Sequence, residues 1–186
     1  MTEKEKAERG LLYDANSDQE ILADRQRAKE ILYEYNNLHP KKQDERKQIL
    51  RLLLNKTGNE FIFEPPFYCD YGYNIEVGEN FFANMNLVIL DGAKVSIGDN
   101  VFIAPNVGIY TAGHPLDEIQ RNEGLEYAYP VTIGNSVWIG AGVSILPGVT
   151  VGNNVVIGAG SVVTKDIPDN CVVAGNPAVI KKRLDK

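Results

Sequence analysis

Two imidazoles are present in 186 residues, His39 and His114. His114 stands in "TAGHPLDEIQRNEGLEYAYPVTIG" (Thr111 to Gly134), directly before Pro115, where the backbone is restrained. An imidazole titrates near neutral pH and can take the proton from a hydroxyl as that hydroxyl attacks, so general-base chemistry is the first candidate. A lone histidine is also a common loop residue without a role, and composition alone leaves both readings open. His39 lies in the polar turn "NNLHPKK" and reads as structural or solvent-facing. Cys69 and Cys171 are far apart in the chain and form neither a disulfide framework nor a metal-ligand cluster; reduced thiols in a cytoplasm are the natural reading. The C-terminal "KKRLDK" gathers Lys181, Lys182, Arg183 and Lys186, a patch suited either to a phosphorylated ligand or to solvent.

The elements that position these groups are written in two different periods. In "SDQEILADRQRAKEILYEYNNL" a capping box of Ser17 and Glu20 precedes apolar residues at helical spacing, and Pro40 ends the run. A second helix fits "KQDERKQILRLLLNKTG", with Gly58 as its stop. Residues 1–58 therefore form a helical module too small to bury its own apolar faces. From about residue 75 the chain repeats every six residues, as in "IEVGEN", "VSIGDN", "VTIGNS" and "VTVGNN". Val95, Val101 and Val107 keep this register, as do Val131, Val137, Val143, Val149 and Val155. A two-residue offset falls near Asp91-Gly92. Each unit reads as a short strand and a corner, three units closing a triangular coil of 18 residues, with Gly and Asn at corners where positive φ is cheap. Trp138 falls at an outward position between inward Val137 and Ile139. The break at 113–130 is three repeat lengths long, so a loop leaves the coil there and rejoins it in register.

A net charge of −6 argues against a nucleic-acid or anionic-membrane partner. No apolar run approaches the roughly 20 residues of a membrane span. The charged N-terminus lacks the pattern of a signal peptide, so the expectation is a soluble cytoplasmic protein.

The repeat, together with "EPPFYCDYGYNI", "NVFIAPNV", "GHP", "VWIGAGV", "GAGSVVTKDIP" and "GNPA", resembles the maltose/galactoside O-acetyltransferase family of hexapeptide-repeat acyltransferases. That resemblance implies a mainly β fold: a left-handed parallel β-helix over 59–178, an N-terminal helical module and a short basic tail at 179–186. It implies a homotrimer with its sites between subunits, and direct transfer of acetyl from acetyl-CoA to a sugar hydroxyl without a metal. In the family pattern His114 is the base and Asn84 steadies the transition state. Asp14, Asp70 and Asp91 match positions that bind acceptor hydroxyls. Glu126 or a backbone carbonyl would orient the His114 ring, and Glu126 is counted with the acceptor residues. Trp138, Ala141, Ala159, Thr164, Lys165, Lys182 and Arg183 match the CoA side. Asp70 stands where galactoside-type enzymes have Ser, and Gly92 where the lactose-operon type has a second Asp. Those two departures leave the acceptor open. An antibiotic acetyltransferase and a non-catalytic assembly module are the competing readings. One histidine near the repeat is too few for the three-histidine zinc site of hexapeptide-repeat carbonic anhydrases.

Overall fold

The computed structural model describes residues 1–185. Three helices precede the repeat: α1 (Glu3–Glu8), α2 (Gln19–Asn37) and α3 (Gln43–Leu53). The capping box sits on α1, where Thr2 and Glu5 exchange side-chain and backbone bonds. It does not sit on α2. That helix is capped by Asp18, whose carboxylate accepts from the N–H groups of Glu20 and Ile21, and Ser17 bonds Asp14 instead. Gly58 likewise does not stop α3, which ends at Leu53. A side chain at Gly58 would meet the Gly78 carbonyl oxygen at 2.6 Å, so glycine there permits close passage of two backbones.

The strands of the coil start earlier than the repeat's visible rule, at Phe61, and form a three-faced parallel β-helix. The first face carries Phe61–Phe63, Phe81–Ala83, Phe102–Ile103, Trp138–Ile139, Val155–Ile157 and Cys171–Ala174. The second carries Phe67–Cys69, Leu87–Leu90, Gly108–Tyr110, Ser144–Ile145 and Val162–Val163. The third carries Ile75–Val77, Val95–Ile97, Val131–Ile133 and Thr150–Val151. Alternate residues point inward, so Ile75, Val95 and Val131 stack with almost no exposure. At the open end, α2 and α3 cover the first coil. Ala28, Leu32, Tyr35, Leu50 and Leu53 join the core around Phe61, Phe63 and Phe67. The Asn36 carboxamide brackets Phe67, donating to its carbonyl (3.0 Å) and accepting from its N–H (2.9 Å). The helices thereby pair backbone groups that an uncapped coil would leave open.

The coils are not uniform. The step from second to third face takes eight residues in the first two coils (Phe67 to Ile75, Leu87 to Val95). It takes 24 in the third (Val107 to Val131) and six from Val143 to Val149. All the added residues lie at 70–74, 91–94 and 111–130, stacked on one edge of the prism. The expected 18-residue coil holds only between Val131 and Val163, where Thr132 pairs with Thr150 and Ser144 with Val162, and the last return is shorter, Val155 pairing with Cys171.

Positive φ at the corners belongs mainly to asparagine: Asn80, Asn86, Asn100, Asn106, Asn154 and Asn170 have φ between 53° and 63°. Gly142, Gly148 and Gly160 share that conformation, while the glycines directly after the inward aliphatic residue serve another need. A side chain at Gly98 would sit 2.9 Å from the Gly134 carbonyl carbon in the coil above. On this same edge Asp99, Asn135, Asn153 and Asp169 each accept an N–H from the coil below, at 2.7 to 2.8 Å. The segment read as a basic tail is a strand, Val179–Arg183, paired antiparallel with Cys171–Ala174 and exposed along its length.

Gly98→Ala should lower the unfolding free energy by about 1–3 kcal/mol, because the coils must part to admit the methyl group. Urea denaturation checks this, and an unchanged midpoint would contradict close coil contact as the reason for the glycine.

Candidate functional site

The stacked edge is held by side chains that reach from one insertion to the next. Asp91, 0% exposed, accepts from the N–H groups of Asp70 (3.0 Å), Tyr71 (2.9 Å) and Gly72 (2.7 Å). Its own carbonyl accepts from the Asn74 carboxamide. Burial pushes the Asp91 carboxyl up to about 6 against the pull of the amides, and neighbouring Asp70 adds to the rise. Thr111 repeats the device one coil higher, accepting from Ala93 N–H (2.9 Å) and donating to the Leu90 carbonyl (2.7 Å).

Above this base the long insertion folds into its own small sheet. Ala112–Gly113 pairs antiparallel with Leu125–Ala128, and Tyr13–Asp14 from the N-terminal module pairs with the far side of that strand. Between them runs α4 (Glu118–Asn122), capped by Asp117. Gly113 lies under Tyr127, whose hydroxyl would be 2.5 Å from any added β-carbon. His114 follows, exposed, with Nδ1 2.9 Å from the Leu125 carbonyl oxygen. A carbonyl can only accept, so Nδ1 carries the proton and Nε2 keeps its lone pair for incoming chemistry. Of the two expected orienting partners, the backbone carbonyl makes the contact. Glu126 is engaged elsewhere, accepting from the Tyr13 hydroxyl at 3.2 Å.

The other acidic positions differ in availability. Asp14 is occupied by its own turn, accepting from the N–H groups of Asn16 and Ser17 and from the Ser17 hydroxyl, and these bonds hold its carboxyl below the usual range. Asp91 is likewise taken up by backbone and shapes the corner. Asp70 is half-buried, and burial raises its pKa while the Arg25 guanidinium opposes that rise. Arg25 donates to the Tyr71 hydroxyl at 3.0 Å. Tyr13, Tyr71 and Arg25 were not anticipated from sequence. A signal existed for Arg25, a cation set on the same helical stripe as Ile21, Ala28 and Leu32.

A second group lies on another edge, between the first and second faces. Asn84 is there, its carboxamide oxygen accepting from Met85 N–H (2.8 Å), which leaves Nδ2 free to donate. Ala141 and Ala159 stand at the same edge in higher coils, exposed and linked through Gly160 N–H to the Ala141 carbonyl (2.8 Å). Their own N–H groups have no acceptor among the described residues. Trp138 is 58% exposed on the first face between Phe102 and Val156. Thr164 and Lys165 are exposed on the same edge as His114, further along the prism; Lys182 and Arg183 lie on the final strand opposite Val172 and Cys171. One chain therefore does not bring His114 and Asn84 together, since the width of the second face separates their edges. Among the described residues no cluster of three or more His, Cys, Asp or Glu is arranged to hold a metal.

Parallel coils of hexapeptides closed by a helical cap place the chain among hexapeptide-repeat acetyltransferases. The sequence matches the maltose acetyltransferase hexapeptide capping motif over residues 6–58 and the bacterial transferase hexapeptide of six repeats over 130–165. It is 63% identical to the Saccharomyces cerevisiae protein YJL218W over 95% of this chain and 91% of that one. The fold superposes on a maltose O-acetyltransferase from Clostridium difficile 630 with a TM-score of 0.98 at 52% identity, covering 100% of this chain and 99% of that one. It also superposes on a galactoside acetyltransferase in complex with coenzyme A, with a TM-score of 0.96 at 44% identity, covering 100% and 92%. The chain belongs to the maltose/galactoside O-acetyltransferase family and is an acetyltransferase.

Asp91→Asn should cost about 1–3 kcal/mol of stability, because the amide turns a donor toward a backbone N–H that has lost its acceptor. Chemical denaturation of the two proteins measures the difference, and equal stability would show that the three amides do not need the carboxylate.

Proposed function

We propose that this enzyme moves an acetyl group from acetyl-CoA, as donor substrate, to a sugar hydroxyl by direct transfer, with His114 as general base. The observation that carries the reading is the His114 contact with Leu125 O, which fixes the ring and leaves Nε2 as an acceptor beside the only three-stranded sheet of the described residues. The acceptor's hydroxyl gives its proton to Nε2 as its oxygen bonds to the thioester carbonyl carbon; that carbon then expels the CoA sulfur, which takes the proton back from Nε2 and leaves as the thiol. Asn84 Nδ2 and the N–H of Ala141 are the donors suited to the oxyanion. Asp70 and Glu126 accept from other hydroxyls of the sugar, with Arg25 balancing their charge. Asp14 and Asp91 act through the turns they hold. The pantetheine arm would run along the edge of Ala141 and Ala159 beside Trp138, and Lys165, Lys182 and Arg183 offer charge for phosphates. The coenzyme A complex of the galactoside relative supports a CoA donor.

The two groups sit on different edges, so a complete site takes one edge from each of two adjacent copies, and a homotrimer supplies three such junctions. Ile62, Phe102 and Trp138 present an exposed apolar ladder on the first face, in keeping with such contacts. Two buried free cysteines fit a reducing cytoplasm.

Thiol release from acetyl-CoA with a panel of sugars and aminoglycosides tests the reading. His114→Ala should lower kcat by about 100- to 10,000-fold with little change in the KM for acetyl-CoA. Turnover undiminished by that substitution would remove His114 as base, and release with the aminoglycosides alone would overturn the sugar assignment.

A further inference from the structure

Glu126 is the half-buried carboxylate of the long insertion, and a flexible surface glutamate makes a poor selector unless something holds it. The structure places such a holder directly opposite. Tyr13 and Glu126 are register partners in the strand pair that joins the N-terminal module to the insertion, so their side chains share a face. The Tyr13 ring is 2% exposed and packs in a cluster with Ala7, Ile21, Tyr71, Ala93 and Ala128, which fixes where its hydroxyl points. That hydroxyl donates to Glu126 Oε2 at 3.2 Å. Burial, with Glu126 adding to it, pushes the phenol well above its ordinary range, so it remains a donor throughout the working pH range. Oε1 is then left to accept from another hydroxyl.

Gly92 gives a second, independent observation. Its φ lies outside the left-handed region, so backbone freedom does not explain a glycine there. An added β-carbon would lie 3.0 Å from the Tyr13 hydroxyl but at ordinary contact distance, 3.4 and 3.5 Å, from Ala128 and Ala112. The group that most needs the space is the hydroxyl.

We propose that Tyr13 is a positioning residue for acceptor recognition: its hydroxyl presets the Glu126 carboxylate to bind a sugar hydroxyl, and Gly92 leaves room for it. This rests on the reading of Glu126 as an acceptor-binding residue, and the experiment separates the two. Steady-state kinetics with glucose and maltose are measured for Tyr13→Phe, Glu126→Ala, Gly92→Ala and the doubles that pair Tyr13→Phe with each of the others. The loss of one hydrogen bond predicts a rise of about fivefold to tenfold in acceptor KM for Tyr13→Phe, with kcat and the KM for acetyl-CoA essentially unchanged. Once Glu126→Ala is present, Tyr13→Phe should add nothing, and Gly92→Ala should raise acceptor KM only while the Tyr13 hydroxyl is there to be displaced. Additive effects in either pair would overturn the positioning role. If Glu126→Ala alone leaves acceptor KM unchanged, the acceptor-binding reading of Glu126 fails, and the proposed selection with it. A crystal structure of Tyr13→Phe decides the anchor itself when neither sugar is turned over. A displaced Glu126 carboxylate supports it, and an unmoved one rejects it.

Discussion

The structure depends on one constraint, that each coil must return to the register of the one below it. Ile75, Val95, Val131 and Val149 face inward on one side of the prism, and a residue added inside any of those strands would turn the next inward side chain out to solvent. Extra residues are tolerated only at corners. This chain places three such additions on a single edge, with 70–74 under 91–94 and both under 111–130. Asp91 and Thr111 then bind each addition to its neighbour through backbone N–H groups. A distinct edge is thus built without disturbing the inward aliphatic pattern, which is how a repetitive scaffold can carry a unique site.

The N-terminal module has two tasks rather than one. Through Tyr35, Asn36 and the apolar stripes of α2 and α3 it closes the open end of the first coil. Through Tyr13–Asp14 it also supplies the outer strand of the small sheet whose middle strand, Leu125–Ala128, carries the carbonyl that orients His114. Asn16 adds a bond to the Gly124 carbonyl at 2.9 Å. The histidine's geometry is therefore tied to a segment about a hundred positions away in sequence, and the helical module belongs to the site as well as to the cap.

Much of this was legible in the sequence because a six-residue period admits few architectures. The inward Val and Ile positions, the outward Trp138, the loop at 113–130 and His114 at its root could all be read from spacing. Pairings that cross the period could not. Nothing local distinguishes Ser17 from Asp18 as the cap of α2, since both offer an oxygen at the right distance. Positive φ accounts for Gly142, Gly148 and Gly160, but Gly78, Gly98, Gly134 and Gly152 are needed for contact with the next coil, which no single hexapeptide reveals. Asp91 looks like an ordinary turn residue, and only the stacking of two insertions shows its three amides. Tyr13 and Arg25 lie in the helical module and meet Glu126 and Tyr71 only once the chain has wound back past them.

The proposed site is divided between two edges. His114 is on one edge and Asn84 on another, with the second face between them. In a trimer, one copy's His114 edge would meet the next copy's Asn84 edge, and each copy would contribute half of two sites. Mixing separately inactive His114→Ala and Asn84→Ala subunits, unfolded and refolded together, tests this directly. Random assembly predicts that about a quarter of the sites pair an intact edge with an intact edge, so thiol release should return to about a quarter of the wild-type value. Activity no greater than the sum of the two variants refolded alone would contradict the account.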